Sequence, residues 1–233
     1  MLRPLLLGLW LAIAPLALSA CAAETSQPKA GCATGISPCL RGTAIVELQT
    51  SKGAVRLQLE GPAAPLTAGN FVDLVKRGVY DNTTFHRVVR EPAPFVVQGG
   101  DPQSADPKVP PGQLGTGSFL DPATGAARLI PLEIALKDET QPRYSAPVTL
   151  PGITPRLQLP HQRGAIAMAR STDPDSASAQ FYIALQALPE LDGSYAVFGR
   201  VISGMEVVDR INQGDRLLRA TLVEGGTLVK DQP

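Results

Sequence analysis

The chain has 233 residues, long enough for one domain with a sizeable core plus tails. Formal net charge is zero and only 18% of residues are charged, which argues against a protein that binds nucleic acid or an anionic surface. Glycine and proline number 22 each, high for a helical protein and natural for short strands joined by turns; the expected class is mainly β with a few helices.

Residues 1–20 carry Arg3 and then an almost unbroken apolar run over 5–18, too short for a comfortable membrane span, which reads as a secretory signal peptide. The run ends in Leu18-Ser19-Ala20-Cys21, similar to a bacterial lipobox, in which the cysteine is acylated and becomes the first residue of the mature protein. Several acyl chains on Cys21 would hold a soluble domain on a membrane, since each buried methylene adds about 0.8 kcal/mol. The alternative is an ordinary signal cut nearby, for example after Ala22, with Cys21 incidental. Residues 21–42 are small and polar and read as a flexible tether. Within them Cys32 and Cys39 enclose Ala33-Thr34-Gly35-Ile36-Ser37-Pro38. Outside the cytoplasm two such cysteines pair, and the Gly and Pro between them favour a closed loop. Two free thiols are the other possibility; the spacing is not that of a Cys-x-x-Cys redox catalyst.

The folded part is expected over 43–230. Residues 43–50 and 54–60 form a hairpin about Ser51-Lys52-Gly53, with Val55, Leu57 and Leu59 alternating against Arg56, Gln58 and Glu60. Pro65 suits the first turn of a helix that runs to Arg77, with Phe71, Leu74 and Val75 on one stripe and Gly78 as its cap. Two strands, Phe85-His86-Arg87-Val88-Val89 and Phe95-Val96-Val97-Gln98-Gly99-Gly100-Asp101, flank the turn Arg90-Glu91-Pro92-Ala93-Pro94. Paired, they lay Arg87, Phe95 and Gln98 on one surface. A cation, a ring and an amide together bind amides and offer no nucleophile. A long loop follows over 102–163, with one modest apolar run at 129–136. Its part from 137 to 160 is either an ordered excursion or a disordered insertion. Strands resume at 164–169, 181–184 and 196–201, a second helix is expected over 204–212, and a last strand over part of 219–229. Eight strands and two helices fit a closed antiparallel barrel capped by the helices.

The central stretch, together with Met168-Ala169, Gln180-Phe181, Leu191-Asp192-Gly193 and Val197-Phe198-Gly199-Arg200-Val201 in that order, resembles the cyclophilins, the peptidyl-prolyl cis–trans isomerases. The resemblance runs nearly end to end over the folded part and implies catalysis of X-Pro rotation. That rotation has a barrier of about 18–20 kcal/mol and takes tens to hundreds of seconds unaided. Millisecond turnover needs roughly 6–7 kcal/mol of selective stabilisation of the twisted amide. No bond breaks, so neither nucleophile nor cofactor nor metal is required. At the twist the amide nitrogen gains a lone pair, and a fixed donor aimed at it prefers the twisted form. A planar, permanently charged guanidinium suits that task.

The resemblance gives Arg87 the donor role. Phe95, Val96, Tyr182 and Leu191 match positions that line the proline pocket, and Gln98 and Gln180 those that order Arg87 and the substrate backbone. Ala169, Arg170 and Ser171 match the stretch whose main chain pairs with the peptide. His86 matches a site histidine with a positioning role, and Gly115-Thr116-Gly117 is similar to the glycine-rich segment lining the groove. Since only His86 and His161 are present, a triad or a multi-histidine zinc site is not expected. The implied partners are proline-containing polypeptides, with no nucleic acid, and a membrane only through the lipid anchor on its periplasmic side. The domain is expected to be a monomer.

The chain departs from the family pattern at four places. The turn 90–94 is longer, Val96 replaces a larger methionine, and Tyr182 replaces a phenylalanine and brings a hydroxyl that needs a partner. Glu190 stands where the best-known eukaryotic members have tryptophan, and Tyr195 where they have a site histidine. A non-catalytic proline-segment-binding chaperone or scaffold on the same barrel is the competing reading; no Gly-x-Ser-x-Gly signature supports a hydrolase. Because the tryptophan helps bind cyclosporin, this chain should bind the drug weakly without losing activity. A calorimetric titration returning tight binding would contradict that expectation.

Overall fold

The computed structural model describes residues 31–230; the expected signal peptide, Cys21 and the first part of the tether lie outside the described residues. In chain order the elements are β1 (Cys39–Thr50), β2 (Gly53–Glu60), α1 (Pro65–Lys76), β3 (Thr83–Thr84), β4 (Arg87–Val89), β5 (Val96–Gly99), β6 (Glu133–Ile134), β7 (Arg143–Tyr144), β8 (Ala165–Met168), β9 (Phe181–Ala184), β10 (Val197–Ser203), α2 (Met205–Val208) and β11 (Arg216–Val229).

Nine of the strands form one antiparallel sheet in the order β3-β11-β1-β2-β10-β8-β9-β5-β4. Its two edges, β3 and β4, are consecutive in the chain, separated only by Phe85 and His86. At that break the Phe85 N–H donates to the Asp215 carbonyl (2.8 Å) and the Gly214 N–H to the Phe85 carbonyl (3.0 Å). The sheet therefore curls until its edges meet in one interrupted strand. Counted that way the expected eight strands are present, as nine segments with a gap where the ladder changes partner.

Several boundaries move. β1 begins at Cys39 because a disulfide joins Cys32 to Cys39, and the residues from Gly31 onward belong to the fold rather than to a flexible tether. α1 lies directly on this loop: a Cβ at Gly69 would collide with the Pro38 carbonyl. A helix-interior glycine normally weakens a helix by about 1 kcal/mol relative to alanine, and here the close approach requires it. α2 keeps only four residues of the expected 204–212 helix.

α1 plugs the barrel. Leu66, Phe71, Val72 and Leu74 are fully buried, and the Phe71 ring meets those of Tyr80, Phe181 and Phe198 at 4.9, 5.4 and 5.1 Å. Polar groups on the same layer fix the chain that enters the site. Asn70 Nδ2 donates to the Ser178 carbonyl (2.7 Å) and the Tyr80 hydroxyl to the Ala179 carbonyl (3.0 Å). Gly78, with φ of 69°, ends α1 as expected, since the left-handed region is open to glycine.

The excursion is ordered against the barrel. Leu132, Ile134, Leu136, Val148, Ile153 and Leu157 form an apolar cluster with Ala196. Glu133 supplies what α1 lacks, since Ala64 at its start has no side-chain cap. Its carboxylate accepts from the Leu66 N–H (3.1 Å), the Thr67 N–H (2.8 Å) and the Tyr144 hydroxyl (2.8 Å). Burial pushes this carboxyl above its usual range while those donors act against the shift. Replacing Glu133 by alanine strands two buried N–H donors and the part-buried Tyr144 hydroxyl. Denaturant unfolding of Glu133→Ala should show a loss of about 2 kcal/mol or more.

Candidate active site

β8 and β9 are buried on both faces. Ile166, Met168, Phe181 and Ile183 face the barrel core, whereas Ala165, Ala167, Tyr182 and Ala184 face outward into a second cluster with Val96, Leu188 and Val197. The pleat alternates sides at every residue, so the outward set builds a floor on the outer face of the barrel. Over it lies a hollow of about 240 Å³ lined by Arg87, Phe95, Val96, Gln98, Ala169, Arg170, Tyr182, Leu191 and Tyr195. Every one of these is a residue singled out in the sequence. A neighbouring groove of about 370 Å³ shares Gln98, Ala169 and Arg170 and adds Ser171, Gln180 and Gly115-Thr116-Gly117.

Arg87 and Gln98 face each other across the β4–β5 ladder. Arg87 Nη1 donates to Gln98 Oε1 (3.3 Å), Gln98 Nε2 to Gln180 Oε1 (3.3 Å), and Gln180 Nε2 to the Gly117 carbonyl (2.9 Å). The guanidinium stands 5.9 Å from the centre of the Phe95 ring. Across the hollow the Arg170 guanidinium lies 4.7 Å over the Tyr195 ring and donates to the Ser194 carbonyl. Ala169 N–H is taken by the Gln180 carbonyl and Ser171 N–H by Ser176 Oγ. Between them the Ala169 carbonyl and Arg170 N–H have no partner among the described residues.

The family model for cyclophilin-type peptidyl-prolyl cis-trans isomerase/CLD matches residues 45–225. The chain is a cyclophilin. It is 37% identical over 198 residues to a putative thylakoid lumen peptidyl-prolyl cis-trans isomerase of Synechocystis, covering 81% of this chain and 49% of that protein. The chain thus spans about half the length of that relative. A Helicobacter pylori peptidyl-prolyl cis-trans isomerase is 34% identical over 178 residues, 76% of this chain and 85% of the other. Among solved structures, a cyclophilin-type isomerase of Cryptosporidium parvum determined with the dipeptide Ala-Pro superposes with a TM-score of 0.57 at 23% identity, covering 78% of this chain and 99% of that one. It supports the fold.

His86 does not line either hollow with the other residues singled out in the sequence. Its ring stands behind Gly115, against a separate groove with Thr84, Ser104 and Arg216, and neither ring nitrogen finds a hydrogen-bond partner among the described residues. Asp101 is the residue whose role sequence reasoning missed. Its buried carboxylate accepts from Gly115 N–H (2.6 Å), Gly117 N–H (3.3 Å) and Gln103 N–H (2.9 Å). A side chain at Gly117 would collide with that carboxylate. The Gln-Gly-Gly-Asp run contained the signal, since an acid ending a strand beside glycines is placed to hold loop amides.

The departures from the family pattern are absorbed locally. Arg90, in the longer turn, donates to the Ile211 carbonyl (2.8 Å) just past α2, and Phe95 keeps its place on the wall. Glu190 is exposed. The Tyr182 hydroxyl meets His161 Nε2 at 2.9 Å, and His161 Nδ1 meets Asp192 Oδ1 at 2.8 Å.

Burial holds both His86 and His161 below the ordinary value of 6.5. The unfolded chain then takes up these protons at higher pH than the folded one. Stability fully present above pH 6.5 is lost as the pH falls through the folded values. Calorimetry between pH 7.5 and 5.5, values chosen about one unit either side of that point, should show a falling Tm, with a shallower fall in His161→Gln.

Proposed function

We propose that this chain catalyses cis–trans rotation about X-Pro bonds of polypeptides outside the cytoplasm, anchored to a membrane through an acylated Cys21. The observation that carries the catalytic reading is the Arg87 guanidinium at the wall of an aromatic-lined hollow, steadied by the Gln98 amide rather than by an acid. The proline ring sits on Val96, Phe95, Leu191 and Tyr182, and the peptide main chain meets the Ala169 carbonyl and Arg170 N–H. Arg87 then aims a donor at the proline nitrogen, whose lone pair exists only when the amide is twisted. Rotation moves no proton and breaks no bond, so binding and one directed charge suffice, without metal or cofactor.

The location rests on three supports. The apolar leader ends in Ala20-Cys21, Cys32 and Cys39 form a disulfide of the kind that persists in oxidising compartments, and the Synechocystis relative is named for the thylakoid lumen. A periplasmic site, with the signal peptide of residues 1–20 removed, fits these supports.

Arg87→Ala should lower kcat/KM in a proline-isomer-coupled peptide assay by about 10²–10³-fold, the usual cost of one transition-state donor, while peptide affinity changes little. Equal, negligible turnover in wild type and variant would instead make the chain a binding module.

A further inference from the structure

His161 takes no part in the proposed rotation, yet it is among the most enclosed polar groups of the fold, with its side chain 1% exposed. It lies just beyond the inserted segment 137–160 and reaches the underside of the hollow. Its Nδ1–H donates to Asp192, whose two oxygens also accept from the His161 N–H (2.8 Å) and the Thr154 hydroxyl (2.6 Å). With Nδ1 carrying the proton, Nε2 is an acceptor, and the Tyr182 hydroxyl donates to it. The imidazole also lies nearly parallel to the Tyr182 ring, at 6.1 Å and 12°.

The row Thr154–Asp192–His161–Tyr182 looks like a nucleophile triad but is not one. The phenol points away from the hollow into the histidine, and burial raises it well above its usual range. What the row does is mechanical. Tyr182 is the floor of the hollow, Leu191 beside Asp192 is a wall, and Tyr195 meets the Tyr182 ring edge-on at 5.9 Å. A phenylalanine there would have no bond fixing its tilt. A tyrosine clamped at its far end does.

We propose that His161, oriented by Asp192, is a positioning residue that clamps the Tyr182 hydroxyl and so fixes the floor of the proline hollow. The clamp sets how tightly a proline-containing peptide is held, not how fast its bond turns, and the inserted segment touches it through the Thr154 hydroxyl on Asp192. This inference rests on the isomerase reading of the site, but binding can be measured without it.

The test is a double-mutant cycle with His161→Gln and Tyr182→Phe in the full chain, using a succinyl-Ala-Ala-Pro-Phe-type peptide. His161→Gln should raise KM about fivefold with kcat within about twofold, and in the Tyr182→Phe background the same change should move KM by less than about twofold. Equal KM effects in both backgrounds would mean that His161 merely supports the fold, and the inference fails. So would an effect on kcat alone. If wild type proves inactive, the isomerase reading falls separately, and the same cycle read as peptide Kd by NMR titration still decides the clamp. Thermal melts of each variant exclude misfolding as the cause, and His161→Asn serves as a second probe if His161→Gln does not fold.

Discussion

Arg87 stands on the wall of its hollow with a neutral amide as its neighbour, and among the described residues no carboxylate lies within 4 Å of it. At such a separation an ion pair is worth about 1 kcal/mol in water and about 4 kcal/mol near a protein surface. In the proposed rotation a partner acid would therefore compete with the developing lone pair for the same donors. Gln98 orients the fork without spending its charge. The orientation is passed back through Gln180 and Gly117 to Asp101, and through the Ser178 and Ala179 carbonyls to Asn70 and Tyr80 beside the core. The Arg87 side chain is thus exposed while its supports are not.

The second constraint is the double burial of β8 and β9. A barrel strand with one wet face would leave Ala165, Ala167 and Tyr182 in solvent. Here the outward cluster is continuous with the hollow, and the excursion covers the neighbouring surface with its own apolar group. The loop over 102–163 that carries it caps α1 through Glu133 and reaches Tyr182 through His161. It has become part of the barrel's support rather than an appendage, which makes sense of a loop of this length in a compact domain.

Much of this was legible in the residues. The alternation of Val55, Leu57 and Leu59, Pro65 at the start of α1 and Gly78 past its end all sit where their local chemistry puts them. The candidates for the hollow were also found, and each of Arg87, Phe95, Val96, Gln98, Tyr182, Leu191 and Tyr195 lines it. The misreadings share one cause. The start of β1 at Cys39 depends on a disulfide and on α1 lying over it, β3 has two residues that pair with the distant β11, and Glu133 caps a helix 66 and 67 residues away. None of these leaves a periodicity.

The sequence alone determined the local elements, the mainly β class and the side chains available for chemistry, because helix and strand patterns are written within a few neighbouring residues. Tertiary structure decided which of those side chains meet. Gln98 reaches Gln180 across 82 positions and His161 reaches Asp192 across 31, and such pairings are set by how the sheet curls and not by any local preference. For the same reason it set His86 apart from the hollow and brought His161 beneath it.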